Sequence, residues 1–233
     1  MTKNNQLKTM LPLATLAIIL LLIIIIFNNQ SRQLQNNERI FVGLVFIIVC
    51  LAGIYSAYRP GQLKRLFLKS DTKKNTITAK STIRLAGHHP ACNQFKNHSF
   101  QYNNSYYCTG CYGLAIGSII AIITISIFLL INIRIADEFK IILLSIGLTL
   151  IAINYIETFW YHNSIVFHLV SNSLLIIGFL FIVISTLEIT GEASYGLIAI
   201  VFSVLWLDVR IHLSQYKHQR ICQSCPKDCV YFE

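Results

Sequence analysis

Six stretches of the chain run almost without polar side chains: residues 10–27, 40–58, 112–133, 141–156, 165–187 and 193–207. A helix rises about 1.5 Å per residue and needs about 20 residues to cross ~30 Å of hydrocarbon. The second, third and fifth stretches are long enough as they stand. The fourth and sixth reach that length only if residues 157–161 and 208–213 continue the helices, which carries acidic and histidine side chains to the membrane edge. The first stretch follows Lys3 and Lys8 as a signal peptide would. However, its apolar run exceeds the usual ~7–15 residues, and NNQSRQ follows it instead of a small-residue cleavage site, so it reads as a retained anchor. The pattern predicts an all-α integral membrane protein with six transmembrane helices. Two helices fall in 1–58, a long connection in 59–111, four helices in 112–213 and a tail in 214–233.

Composition agrees with that pattern. At 55% hydrophobic and 12% charged, the chain has about half the ~25% charge of ordinary soluble domains, which argues against a freely soluble enzyme. The basic residues set the orientation, because Lys and Arg accumulate on the cytoplasmic side. With both termini inside, the cytoplasmic segments hold 15 of the 19 Lys and Arg residues and the outer ones hold 4. The expected location is the cell membrane, multi-pass, with both termini cytoplasmic. The net charge of +9 then reflects topology and attraction of the basic 59–96 segment to anionic lipid headgroups. No interleaved basic and aromatic module points to nucleic acid. A protein partner or homo-oligomer is left open.

The connection changes character along its length. Its first half is basic and poor in large apolar residues, with a short interfacial helix expected around residues 62–68. From Gly87 it becomes GHHPACNQFKNHSFQYNNSYYCTGCYG, with His88, His89, Cys92, His98, Cys108 and Cys111, and the tail adds Cys222, Cys225 and Cys229 in RICQSCPKDC. Both segments face the reducing cytoplasm on this topology, where paired CxxC motifs favour metal binding over structural disulfides. Two thiolates separated by two residues can wrap one tetrahedral Zn²⁺, and a second such turn closes a Cys₄ site. The expected zinc ligands are Cys108, Cys111, Cys222 and Cys225, with Cys92, His98 and Cys229 as substitutes or members of a second site. An iron–sulfur cluster is the lesser form of this reading, because the four-cysteine ferredoxin run is absent. Cys50, alone within an apolar stretch, reads as a packing residue.

Polar residues inside the spans form a second set. His168, Ser171 and Asn172 share one helical face, as do Asp208 and His212, while Glu157 and His162 sit at and just beyond the end of the fourth stretch. Ionisable groups at membrane depth are functional candidates by default, so Glu157, His168, Asp208 and His212 are the candidate catalytic residues. The plainer alternative is that Glu157 and Asp208 end their spans, with Arg210 or the basic connection as counter-ion. Gly113-x3-Gly117, followed by Ala121, marks a face on which another helix can approach closely. Tyr106, Tyr107 and Tyr112, and Phe159, Trp160 and Tyr161, read as interfacial anchors.

The stretch 92–117 resembles a family of small multi-pass membrane proteins built on a domain of unknown function. That family's signature runs roughly C-H-Q-x-P-x-R-S-F, a spacer, then C-x-R-C-x-G-x-Y-x-G leading into a transmembrane helix. Cys92, Gln94, Ser99, Phe100, Cys108, Cys111, Gly113 and Gly117 fall on matching positions. Asn93, His98 and Gly110 stand where the family has His, Arg and Arg. The resemblance implies an integral membrane protein and names no reaction. The primary expectation is a zinc site joining connection and tail, as a partner-binding or regulatory module. The alternatives are a membrane-embedded metalloenzyme acting on a lipid or lipid-linked substrate, or a thiol redox protein using Cys108 and Cys111.

Overall fold

The structure is a computed structural model and describes residues 12, 15–23, 25, 33–58, 84–86, 99–102, 105–131, 135–159 and 164–223. Five long helices dominate it: α1 (Asn36–Tyr58), α2 (Thr109–Ile131), α3 (Asp137–Phe159), α4 (Ile165–Thr190) and α5 (Ala193–Gln223). Each is long and apolar enough to cross a membrane, α3 over Asp137–Glu157 and α5 over Ala193–Ser214. The fourth and sixth sequence stretches thus do continue as helices beyond their apolar runs. In the first stretch residues 15–23 are helical, with Ala17 and Leu21 buried.

The expectation of a wholly helical chain needs one correction. Within the long connection lie three short strands, β1 (Arg84–Ala86), β2 (Ser99–Tyr102) and β3 (Ser105–Cys108), in the order β1-β3-β2. β1 runs parallel to β3, and β2 pairs antiparallel with it in a register that sets Ser99 opposite Cys108 and Tyr102 opposite Ser105. The aromatic run around Asn103-Asn104 accounts for this. Phe and Tyr favour strands, and a two-residue separator suits a hairpin. Tyr106 and Tyr107 therefore belong to a strand, not to the head of a span.

Helix α4 is the centre of the bundle and packs against α2, α3 and α5. Half of its membrane-length window is buried, against 22% for α1 and α3, which marks it as the helix the others surround. Its small and polar residues allow this, since Ser171, Ser173, Gly178, Ser185 and Thr186 let neighbours come close. Ser164 caps its N-terminus, accepting from the Phe167 N–H at 3.4 Å, and Gly191 ends it in the left-handed conformation at φ 68°. Gly113-x3-Gly117 on α2 provides the closest approach. A Cβ on Gly113 would lie 2.5 Å from the Leu169 carbonyl oxygen, and one on Gly117 would lie 2.5 Å from that of Ser173. The helix that fits this face is therefore α4, and the Ser173 hydroxyl donates across the contact to the Gly113 carbonyl at 2.8 Å. On the outer surfaces of the helices Ile48, Ile123, Leu130, Ile141 and Val166 are exposed, as expected for helices surrounded by lipid.

At the end of the bundle away from Cys108, Arg39 of α1 donates to Glu188 of α4 at 2.6 Å, with side chains only 5% and 6% exposed. The guanidinium also stands 5.0 Å from the centroid of the Phe128 ring on α2. This pair joins three helices and was not anticipated, because both residues lie at the very edges of their apolar runs.

Introducing Val at Gly113 or Gly117 is expected to destabilise the protein by about 1–3 kcal/mol through overpacking. Gly53→Ala should stay within about 0.5 kcal/mol, since the nearest atom to its Cβ would be Ser118 Oγ at 3.7 Å. Thermal unfolding in detergent ranks the three, and equal stability would mean that α2 and α4 do not meet as described.

Candidate functional site at the thiol end

The junction from β3 to α2 builds the site. Cys108 is the last residue of the strand and Cys111 lies in the first turn of the helix, so the CxxC motif spans a strand-to-helix corner and not an isolated knuckle. Neither is in a disulfide, Cys108 is buried and Cys111 half-buried, and the two thiols interact with one another. A Cβ on Gly110 would meet Cys108 Sγ and the Asn172 amide nitrogen, both at 3.8 Å.

Three helices bring polar groups to the same end. Arg210 of α5 lies within electrostatic reach of Cys108, Cys111 and Glu157. Its Nε donates to Asn154 Oδ1 at 3.1 Å, and the Asn154 amide donates to Ser171 Oγ at 2.8 Å, which ties α5 to α3 and α3 to α4. Glu157, 5% exposed, faces His168 across the α3–α4 interface, with Oε1 2.5 Å from Nδ1. The contact is a close approach and not a well-aligned hydrogen bond, for neither carboxylate oxygen has an aligned donor among the described residues. Asn172 Oδ1 and Thr109 Oγ1 also lack partners there, so the thiol end holds several buried acceptors without donors.

The sequence-predicted residues divide into three groups. Glu157 and His168 come together, the first buried and the second partly buried. Asp208 and His212 form a pair of their own at 3.5 Å on a half-exposed face, where His212 Nδ1 also lies 2.9 Å from the carbonyl oxygen of Asp208. Cys92, His98, His88, His89, His162, Cys225 and Cys229 lie outside the described residues. Cys222 is helical, in the last turn of α5, and its side chain is outside the described set. Among the described residues no group of three or more His, Cys, Asp or Glu side chains is arranged to hold a metal ion. Asn154 was missed by sequence reasoning, although an amide within an apolar run of α3 was a signal that could have found it. Arg210 was foreseen only as a counter-ion.

A narrow cleft opens beside the thiols, lined by Cys108 and Cys111, Tyr58, Tyr107 and Tyr112, and two alanines. Its rings touch each other: Tyr58 and Tyr112 are 6.5 Å apart between centroids, and Tyr107 and Tyr112 are 6.1 Å apart, both edge-on. Phe100 stacks on Tyr107 at 5.6 Å, which fixes the hairpin against the head of α2. Comparison with protein-family models, curated proteins and solved structures finds no match to this chain.

Glu157 and Arg210 are expected to be energetically coupled. In a double-mutant cycle of Glu157→Gln and Arg210→Met, read by unfolding in detergent, the interaction energy should be about 1–3 kcal/mol. A value indistinguishable from zero would separate the Glu157–His168 contact from Arg210.

Proposed function

We propose that the protein is a multi-pass membrane protein, both termini cytoplasmic, in which a thiolate-held Zn²⁺ fastens the Cys/His-rich connection and its small sheet to the end of the helix bundle. The observation that carries this reading is the Cys108–Cys111 pair: two thiols that interact with one another at a strand-to-helix corner, with Arg210 within electrostatic reach. Zinc takes four ligands with sulfur at about 2.3 Å, so two more must come from the Cys and His residues of the connection or tail.

Chain geometry favours the connection. Ser99 is opposite Cys108 in the β2–β3 ladder, and His98 is covalently next to Ser99. In contrast, Arg210 stands near the thiols while α5 runs on to Gln223, and the helix from Arg210 to Cys222 rises about 18 Å. The preferred set becomes Cys92, His98, Cys108 and Cys111, with Cys222, Cys225 and Cys229 forming a separate group. Zn²⁺ with three thiolates and one neutral imidazole carries a charge of roughly −1, which Arg210 offsets. The resemblance of residues 92–117 to the membrane family fits this choice, since its signature opens at Cys92 and passes through both paired cysteines. The site would give the connection one fixed shape and present it to a partner.

A second reading is favoured by the contact between the thiols. A CxxC pair can close a disulfide, and a redox couple would use the two thiols without a metal.

Purified full-length protein is expected to hold about one zinc per chain at this site by elemental analysis. Cys108→Ser and His98→Ala should each lose it, and Cys222→Ser should keep it. Loss from Cys108→Ser and Cys222→Ser alike would return the tail to the ligand set. Absence of metal, with both thiols freely alkylated in the folded protein, would overturn the zinc reading, and a reversible disulfide in its place would establish the second.

A further inference from the structure

The zinc reading leaves the Glu157–His168 contact unused. An unprotonated oxygen and nitrogen 2.5 Å apart repel each other, so Glu157 Oε1 and His168 Nδ1 stay together only while one of the two groups carries a proton. Fastening α3 to α4 does not require such a contact. One turn further into the bundle, Asn154 and Ser171 of the same two helices make that join at 2.8 Å without a charge. A carboxyl group whose side chain is 2% exposed within an apolar bundle is costly, and for that reason it is a functional candidate by default. Its place gives it access to protons. Glu157 lies in the last turn of α3 and His168 in the first turn of α4, so the pair stands where the bundle meets water, and His168 is the more open of the two at 14%.

The neighbouring charges come from α5, β3 and α2. Arg210 of α5 donates from Nε to Asn154 and is within electrostatic reach of Glu157, of Cys108 at the end of β3 and of Cys111 in α2. Asp208 and His212, also of α5, engage each other on a half-exposed face. With His168 neutral, the Glu157 carboxylate and the Arg210 guanidinium offset one another across the α3–α5 interface. A proton added to the pair brings it to zero net charge and takes that counter-charge from Arg210. We propose that Glu157 and His168 form a proton-binding site at the thiol end, and that proton uptake there loosens α5 from Arg210 onward. One O–H bond of a hydronium ion breaks and one N–H or O–H bond forms on the pair, with no change of oxidation state. The Glu157 charge then belongs to an imidazolium 2.5 Å away, and the bond to Asn154 is what ties Arg210 to α3. The order of α5 beyond Arg210 thereby follows the acidity of the adjoining water. The site uses no metal and stands apart from the zinc reading.

The test uses full-length protein with ¹⁵N-labelled histidine in lipid nanodiscs, taken through a pH series. Ring nitrogen shifts follow His168, assigned with His168→Gln, and infrared difference bands follow Glu157, assigned with Glu157→Gln. Amide hydrogen exchange, corrected for the intrinsic effect of pH, follows α5. His168 and Glu157 are expected to change together in one step, and exchange of the amides in 210–223 should rise about tenfold across it. Glu157→Gln should displace the His168 step by about one pH unit or more. Arg210→Gln should leave His168 taking up its proton while exchange in α5 no longer follows. Where a variant does not fold, the wild-type curves decide. Separate steps for His168 and Glu157 would overturn the inference, as would α5 exchange that is flat through the step, or a His168 step that Glu157→Gln leaves in place.

Discussion

The close approach of α2 to α4 is the constraint on which the rest depends. Gly113 and Gly117 leave no side chain on one face of α2, and the backbone of α4 occupies that space at Leu169 and Ser173. In lipid the apolar effect gives helices little reason to associate, so packing and interhelical hydrogen bonds must do so, and the Ser173 to Gly113 bond is one of them. Because α4 is gripped in this way along its first turns, its polar face is delivered to the head of α2. Asn172 then stands beside Gly110, while His168 and Ser171 meet Glu157 and Asn154 of α3. The thiol corner and the Glu157–His168 contact are consequences of one packing decision.

A buried ion pair and a carboxylate–imidazole contact hold α4 at its opposite ends. Arg39 with Glu188 joins α1 to α4 over the Phe128 ring, and Glu157 with His168 joins α3 to α4 near Arg210. Buried pairs of this kind contribute little net stability, because desolvation opposes their attraction, but breaking one leaves an uncompensated charge. Their effect is therefore on arrangement. Helices that could slide past one another in lipid are held in register at both ends, and the corner that carries the cysteines inherits that register.

The spans were legible because hydrocarbon imposes a simple rule, a run of about 20 apolar residues, on whichever segment crosses it. The small-residue face of α2 was legible for the same reason, although only the structure names α4 as its neighbour. The short strands were not. Ten residues from Ser99 to Cys108 are too few for periodicity to separate a hairpin from a loop, and their pairing is decided by contacts with Tyr112 and the bundle. Of the candidate site, Glu157 and His168 were visible as ionisable groups in apolar surroundings, yet nothing in their spacing on two different helices states that they meet. Asp208 and His212 show the reverse case. Their i,i+4 spacing foretold a pair, but the pair lies on a half-exposed face. Arg210 read only as a counter-ion, whereas α5 continues past it to Gln223 and its guanidinium bonds Asn154 within electrostatic reach of Glu157 and the thiols.

The central claim is that the strand-to-helix corner is a thiolate metal site completed from within the connection. X-ray absorption at the zinc edge of the full-length protein addresses it most directly. A first shell dominated by sulfur at about 2.3 Å, with one nitrogen at about 2.0 Å, is the predicted result. A shell of nitrogen and oxygen alone would contradict it, because the metal would then lie away from Cys108 and Cys111.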